Sequence, residues 1–364
     1  MSKRNYIIPI FVPHTGCPND CIFCNQRKIT GKSTDLTAGE IVERIESYLE
    51  TLPSENRTLE IAFFGGSFTG IDMDIQREFL DVAYSYKQRG VVDKIRLSTR
   101  PDYIDVERLE LLKSRGVDII ELGVQSMDSE VLEKSYRGHT REHVVEAAKL
   151  IAEYGFTLGL QMMVGLPGDS FEKSIETARE IIALKPQIAR IYPTLVIVET
   201  ELENEYRNGN YSALSLEEAV YRSKYILYLL ESAGIQVIRV GLQPSDNISE
   251  GGDIVAGPFH PAFRQLVEGE IYYDIVDNYL SGKEQTEGLE LAISADASKI
   301  SEIAGQGGVN KKRLIQKYGL GNISISPASL GKDRLELDLG GESCILDRSA
   351  VLDIIYREKL NREV

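Results

Sequence analysis

The sequence predicts an α/β fold: parallel strands, each followed by an outer helix, closing partly into a barrel, with a small α/β unit appended. Three observations carry this. Six strand–helix units follow one another from Tyr6 to Tyr192, which is the alternation of a parallel sheet with helices outside. Polar or glycine-rich turns fall just after the predicted strands, where sites assemble in such folds. The alternation then breaks in a glycine- and serine-bearing loop at 241–257 and resumes as a smaller unit.

Taken in order, Tyr6–Val12 reads as a strand, followed by a cysteine-bearing loop and a helix over Thr37–Leu52. Leu59–Phe64 is the second strand, ending in Gly65-Gly66, with a helix over Asp74–Arg89. Lys94–Thr99 is broken by Arg100-Pro101-Asp102, and a helix over Asp105–Arg115 leads to a strand at Asp118–Gly123. Helical segments run through Tyr154, then a strand at Thr157–Val164 enters Gly165-Leu166-Pro167-Gly168. A helix over Phe171–Leu184 and a strand at Ile188–Tyr192 complete the series. Such a series can close, or partly close, into a barrel. Beyond the loop, a helix over Pro261–Leu280 and an α/β unit at Leu289–Leu360 suggest a boundary near 245. That gives a core domain at 1–245 and a C-terminal α/β accessory domain at 246–364.

Composition narrows the class. The 364 residues carry 42% hydrophobic and 27% charged side chains, as in ordinary folded domains. No apolar run is long enough to span a bilayer, and Met1–Pro13 lacks the shape of a secretory signal, so a cytoplasmic protein with no membrane partner is expected. The net charge of −15 argues against nucleic-acid binding driven by overall electrostatics, although a local basic patch is compatible with an acidic body.

Three of the four cysteines lie within eight residues, as Cys17-Pro18-Asn19-Asp20-Cys21-Ile22-Phe23-Cys24. A disulfide framework spreads its cysteines to close loops, whereas three clustered thiols read as metal ligands. Three thiolates on a cubane leave one iron open to a ligand. Zinc is the competitor, normally with a fourth ligand, for which His14 or Cys344 is available.

This loop after the first strand, with aromatic Phe23 before its last cysteine and Gly65-Gly66-Ser67-Phe68-Thr69 after the second strand, resembles the radical SAM superfamily. Within it, the stretches His14–Pro18, Phe63–Thr69, Thr99–Asp102, Glu121–Ser126 and Arg190–Thr194 are similar to the catalytic subunit of Elongator and its relatives. Gly123–Gln125 and Val164–Pro167 are more distantly similar to oxygen-independent coproporphyrinogen oxidases. The resemblance covers residues 5–240.

It implies a partial (β/α)6 TIM-like barrel in which Cys17, Cys21 and Cys24 hold a 4Fe–4S cluster. That cluster cleaves S-adenosylmethionine (SAM) reductively, to methionine and a 5′-deoxyadenosyl radical. Carried over by position, Gly65, Gly66 and Ser67 receive the methionine amino group, glycines letting backbone carbonyls approach closely. Gln125 and Arg137 contact the SAM ribose and carboxylate, and Gln161 faces the same ligand. Ser98 stands where relatives often place an acidic contact, and Glu121 points inward toward SAM or substrate. Against these stand plainer readings: Gln125, Gln161 and Ser98 as satisfied polar residues lining a barrel, and Glu121 and Arg137 as members of interior ion pairs.

The implied substrate is an RNA nucleotide, with a flavodoxin- or ferredoxin-type electron donor. The alternatives are a small molecule or porphyrin-like substrate, and a non-catalytic cluster or haem carrier. No coenzyme A pyrophosphate loop, extra zinc-binding cysteine set or basic N-terminal extension is visible, so Elongator's carboxymethylation of wobble uridine is not carried over.

Five further features carry less. Arg27, Lys28 and Lys32 form a charge run beside the cysteines, and Gly305–Arg313 opens a basic helix that would suit an anion or RNA phosphate. His139 and His143 share one helix face. His260 reads as a turn histidine and Cys344 as a small buried residue.

Overall fold

The computed structural model describes residues 4–12, 21–25, 36–53, 55–243 and 252–363. Seven strands form one parallel sheet in the order β1 (Arg4–Val12), β2 (Arg57–Gly65), β3 (Lys94–Thr99), β4 (Ile119–Gln125), β5 (Thr157–Val164), β6 (Ile188–Pro193) and β8 (Gln236–Val240). Among the described residues β1 and β8 do not pair, so the sheet is an open arc, a half-barrel. The short strands β7 (Val196–Ile197) and β9 (Ile254–Ala256) pair antiparallel beside it.

The helices between strands are α1 (Ala38–Thr51), α2 (Met73–Gln88), α3 (Val106–Ser114), α4 (Ser129–Lys134), α5 (Arg141–Glu153), α6 (Phe171–Ala183), α7 (Glu201–Arg207) and α8 (Leu216–Ser232). Polar N-caps start them where the sequence turns. Thr37 with Glu40 and Ser215 with Glu218 form capping boxes, and Asp72, Asp105, Asp128 and Ser170 each accept a backbone N–H.

Besides β7, α7 and β9, the sequence-based expectation lacks α8 and the seventh strand it delivers, β8, the pair that extends the main sheet. The reason is burial. Ala219, Val220, Tyr225, Ile226, Leu227, Tyr228 and Leu230 of α8 are all covered, so burial extends around most of the helix and its amphipathic period is weak.

The covering element is α9 (Phe263–Ser281), followed by a second sheet in the order β11 (Asn322–Pro327), β10 (Glu290–Ala295), β12 (Arg334–Leu339) and β13 (Glu342–Asp347). Helices α10 (Ile300–Ala304), α11 (Val309–Tyr318) and α12 (Arg348–Glu363) complete the chain. Tyr356 of α12 stacks on Tyr225 of α8 with ring centroids 4.5 Å apart, while its hydroxyl and the buried Lys224 ammonium both bind Asp274 of α9 at 2.5 Å. One hydrophobic cluster therefore runs from Ile8 and Leu59 through Ile226 and Ile271 to Leu291, Ile293 and Leu337 of the second sheet.

On the half-barrel, strand alternation sorts the two faces. Ile61, Phe63, Leu97, Leu122, Leu160 and Ile191 point outward into the layer of helices. Phe64, Ser98, Gly123, Gln161, Met163, Arg190 and Tyr192 lie on the opposite, concave face and are only half-buried. That face is where a ligand has access.

One small consequence concerns α4, whose N-cap Asp128 accepts the Val131 N–H at 3.0 Å. Replacing Asp128 with Ala is expected to cost about 1 kcal/mol, the ordinary worth of such a cap, read as a lower denaturation midpoint. The same helix ends at Ser135, which holds the cysteine segment.

Candidate functional site

The described part of the cysteine segment is anchored from two sides. The Ile22 N–H donates to the Ser135 carbonyl at 3.2 Å, and its own carbonyl accepts the Leu202 N–H of α7 at 2.8 Å. Ile22 packs with Val196, Leu202 and Tyr211, with Phe23 against them. The Asn25 amide donates to the Val198 carbonyl at 3.2 Å. Within the segment the Cys24 N–H donates to the Cys21 carbonyl at 2.9 Å, a turn that closes between the two cysteines. Cys21 is buried and Cys24 half-buried. Cys17 and His14, like Arg27, Lys28 and Lys32, lie outside the described residues.

Arg137 reaches this segment from the link between α4 and α5. Tyr136 and Gly138 on either side both have positive φ, at 53° and 71°, and this double reversal turns Arg137 inward. Its Nη1 donates to Cys21 Sγ at 3.0 Å and its Nη2 to the Gly123 carbonyl at 2.7 Å. Its Nε is buried and has no hydrogen-bond partner among the described residues.

Gly123 opens a bulge: the pairing of β4 with β5 slips between Gly123 and Gln125, and Gln125 has φ of 66°. A left-handed glutamine at a strand's carboxyl end costs on the order of 1–2 kcal/mol, the kind of strain that collects at functional sites. The bulge re-aims Gln125, whose Oε1 accepts the Gln161 Nε2–H at 3.2 Å. Cys21, Arg137, Gly123, Gln125 and Gln161 thus form one connected rim.

The glycine turn sits on the neighbouring strand end. Gly65 has φ of 98°, and the Gly66 N–H donates to the Val12 carbonyl at 3.1 Å. Ser67 Oγ lies 2.7 Å from Thr99 Oγ1 and accepts the Arg100 N–H at 3.1 Å, so the turn is tied to the end of β3. Ser98 stands opposite Glu121 in the β3–β4 register.

Deeper in the arc, Glu121 is 3% exposed and bonded to two guanidinium groups: Arg96 Nη1 at 3.0 Å, and Arg190 through Nη2 at 3.0 Å and through Nε. Arg96 also grips Glu60 at 2.6 Å, and Arg190 donates to the Tyr192 hydroxyl at 3.2 Å while lying 5.5 Å from the Phe64 ring centre. Burial alone would raise the Glu121 pKa; the charges and hydrogen bonds of Arg190 and Arg96 outweigh it and hold the carboxyl below its ordinary range. The sequence pointed to Glu121 as a site residue but not to Arg96, and it gave Arg190 and Tyr192 only as part of the Elongator-like stretch Arg190–Thr194, with no role assigned. The signal for these was their period-two spacing with Ser98 and with each other.

His139 and His143 do not act together. His139 is buried and its Nε2–H donates to the Val124 carbonyl at 3.2 Å, while His143 Nδ1 accepts the Thr140 N–H in a cap. Burial, then the Arg137 and Arg100 charges, push the His139 pKa down to about 3, so it is neutral. His260 Nδ1 accepts the Ala262 N–H at 3.1 Å, a turn contact. Cys344 sits on β13 opposite Leu337 and is half-buried rather than enclosed, because β13 is the outer strand of its sheet. Among the described residues no group of three His, Cys, Asp or Glu side chains is placed to hold a metal, and no helix is long and apolar enough to cross a membrane.

Comparison with known proteins agrees with this architecture. The family model of the radical SAM superfamily matches residues 11–181, and that of the radical SAM C-terminal domain matches 186–273. An uncharacterised protein of Methanocaldococcus jannaschii is 32% identical over 223 residues, covering 58% of this chain and 68% of that one. A tRNA uridine(34) acetyltransferase of the same organism is 28% identical over 254 residues, 59% of this chain and 47% of the relative, so the chain spans about half of that protein. The heme chaperone HemW of Bacillus subtilis is 24% identical over 347 residues, 89% of this chain and 90% of the relative. The solved structure of Methanocaldococcus infernus Elp3, with its N-terminus deleted, superposes with a TM-score of 0.60 at 21% identity, over 75% of this chain and 64% of that one.

Proposed function

The chain belongs to the radical SAM superfamily, and from that premise we propose that it cleaves SAM reductively at a 4Fe–4S cluster held by Cys17, Cys21 and Cys24, to modify an RNA nucleotide. The observation that carries the reading is the connected rim from Cys21 through Arg137 to Gln125 and Gln161, on the open face of the half-barrel.

The residues present suit both groups. The Arg137 Nε is a buried donor without a partner among the described residues, as a carboxylate ligand would require. Glycine keeps the floor low: a Cβ on Gly159 would meet Glu121 Cγ at 2.8 Å, and one on Gly123 would meet Gln125 Nε2 at 2.9 Å. The bound cluster and SAM would supply the one-electron chemistry, a carbon–sulfur cleavage yielding methionine and a hydrogen-abstracting radical.

The protein's part is to bind, orient and exclude. Cys21 and Cys24, presented by one turn, would serve as ligands with Cys17, and Phe23 would close the loop over them. Gly65, Gly66 and Ser67 would offer the methionine amino group their backbone, and Arg137 would take the carboxylate. Gln125 and Gln161 would bind the ribose, with Ser98, opposite Glu121, on the same face of the arc. Glu121 would hold Arg190 and, through it, Tyr192 toward the substrate. The tRNA-modifying relative favours a nucleotide. The cavity of about 540 Å³ at the base of the arc does not add to this, because Glu60 and Glu231 line it beside Arg96, Arg190, Arg239 and Arg264 and pair with Arg96 and Arg264. A flavodoxin or ferredoxin would donate the electron, and residues 246–364 would form an accessory domain.

The test is anaerobic reconstitution, reduction with dithionite, addition of SAM with and without cellular RNA, and mass spectrometry for 5′-deoxyadenosine. The wild type is expected to form it and Cys21→Ala to form none. A cluster-loaded wild type that makes no more than the variant, with RNA present, overturns the reading; haem uptake by that protein would point to the carrier alternative.

A further inference from the structure

The contact between Arg137 and Cys21 has a second use besides ligand binding. Of the guanidinium's three nitrogens, one is spent on the Cys21 sulfur at 3.0 Å and one on the Gly123 carbonyl at 2.7 Å. The residue is 6% exposed, and its backbone is fixed by the Arg137 N–H to Leu132 carbonyl bond at 3.1 Å and by the left-handed residues flanking it. Such a group cannot swing away. Arginine stays protonated in any folded protein, so its charge is permanent.

We propose that Arg137 is a positioning residue that sets the reduction potential of the cluster, through a fixed, charge-bearing hydrogen bond to the Cys21 sulfur. The inference rests on the reading of Cys21 as an iron ligand. Reduction adds one electron from an external donor and leaves the guanidinium protonated, so the reduced site is one unit more negative. A buried positive charge donating to its sulfur stabilises that reduced form over the oxidised one, because hydrogen bonds to ligating sulfurs and local charge tune such potentials. The potential therefore sits higher with Arg137 in place than without it. The Gly123 bond matters as much as the charge, since it keeps Nη1 on the sulfur while Nε remains for a carboxylate.

The experiment compares reconstituted wild type, Cys21→Ala, Arg137→Lys and Arg137→Gln without SAM, measuring iron and sulfide per chain and, in those that load, the midpoint potential by EPR-monitored titration. The Gln variant is expected to fall by at least about 59 mV, a tenfold change in the one-electron equilibrium. Lys keeps the charge but not the tether to Gly123, and is expected between the two. Equal midpoints in wild type and a fully loaded Gln variant overturn the proposal. Should the Gln variant not load, the Lys variant decides: a lower midpoint supports it and an unmoved one overturns it. A wild type whose iron and sulfide do not depend on Cys21 sinks the cluster reading itself. Cys21-dependent loading with unmoved midpoints sinks only the role given to Arg137.

Discussion

Replacing Glu121 with Ala is expected to remove about 3–5 kcal/mol of stability, because it strands buried positive charge. Arg190 would keep only the Tyr192 hydroxyl and the Phe64 ring, while Arg96 would keep Glu60. Denaturant unfolding of the isolated variant measures the loss. Removing the charges together is the control: a Glu121→Leu, Arg190→Met double variant should recover most of it, since a buried pair replaced by apolar groups is often neutral. A single variant within about 1 kcal/mol of wild type would show that water already reaches Arg190 well enough to solvate it.

The same residue sets a pH signature. Its folded pKa lies below the ordinary glutamate value of 4.5. Its stabilisation is therefore complete above the unfolded pKa and disappears as pH falls through the folded one. Wild type and Glu121→Ala should converge in stability toward low pH.

Asp169 is expected to behave oppositely. Its carboxylate accepts the Gly165 N–H at 2.7 Å and the Ser174 hydroxyl at 2.8 Å, with Arg222 3.6 Å away, beyond hydrogen-bond reach. Burial raises its pKa above the ordinary 3.8, and the hydrogen bonds and the Arg222 charge do not offset it. A folded pKa above the unfolded one gives a contribution that is full below the unfolded value and is lost as pH rises through the folded one. Asp169→Ala, which leaves the Gly165 N–H and Ser174 without an acceptor, should cost about 3 kcal/mol, roughly one to three for each stranded donor. Asp169→Asn retains an acceptor without the buried charge and should cost about 1 kcal/mol, the worth of one hydrogen bond. Thermal melts of both across pH check this, and equal losses in the two would refute the charge argument.

The structural role of Asp169 is to hold the turn that faces the cysteine segment. Gly165 and Gly168 have φ of 82° and 80°, and the Gly165 carbonyl accepts the Tyr211 hydroxyl at 2.6 Å. Tyr211 in turn packs on Ile22. Loosening that turn loosens the support of Cys21, so, on the proposed reading of Cys21 as a cluster ligand, Asp169→Ala should also lower retention of iron in the reconstituted protein.

Strand–helix alternation, the position of each turn after its strand, and the clustering of Cys21 and Cys24 were all legible in the chain, because they follow from local periodicity and spacing. The α8–β8 unit was not, since a helix buried around most of its girth, in part by α9 and α12, shows only weakly the amphipathic pattern that marks a helix. For the site, sequence alone marked out Gln125, Arg137, Gln161 and Glu121 as residue types in suggestive positions. Only the folded chain decided that Glu121 lies between two guanidinium groups, that Gln125 is turned by a bulge, and that Arg137 donates to Cys21 across 116 positions of chain. Side-chain partners on different strands depend on register and twist, which no local stretch encodes, so the chemistry of this rim belongs to the tertiary structure.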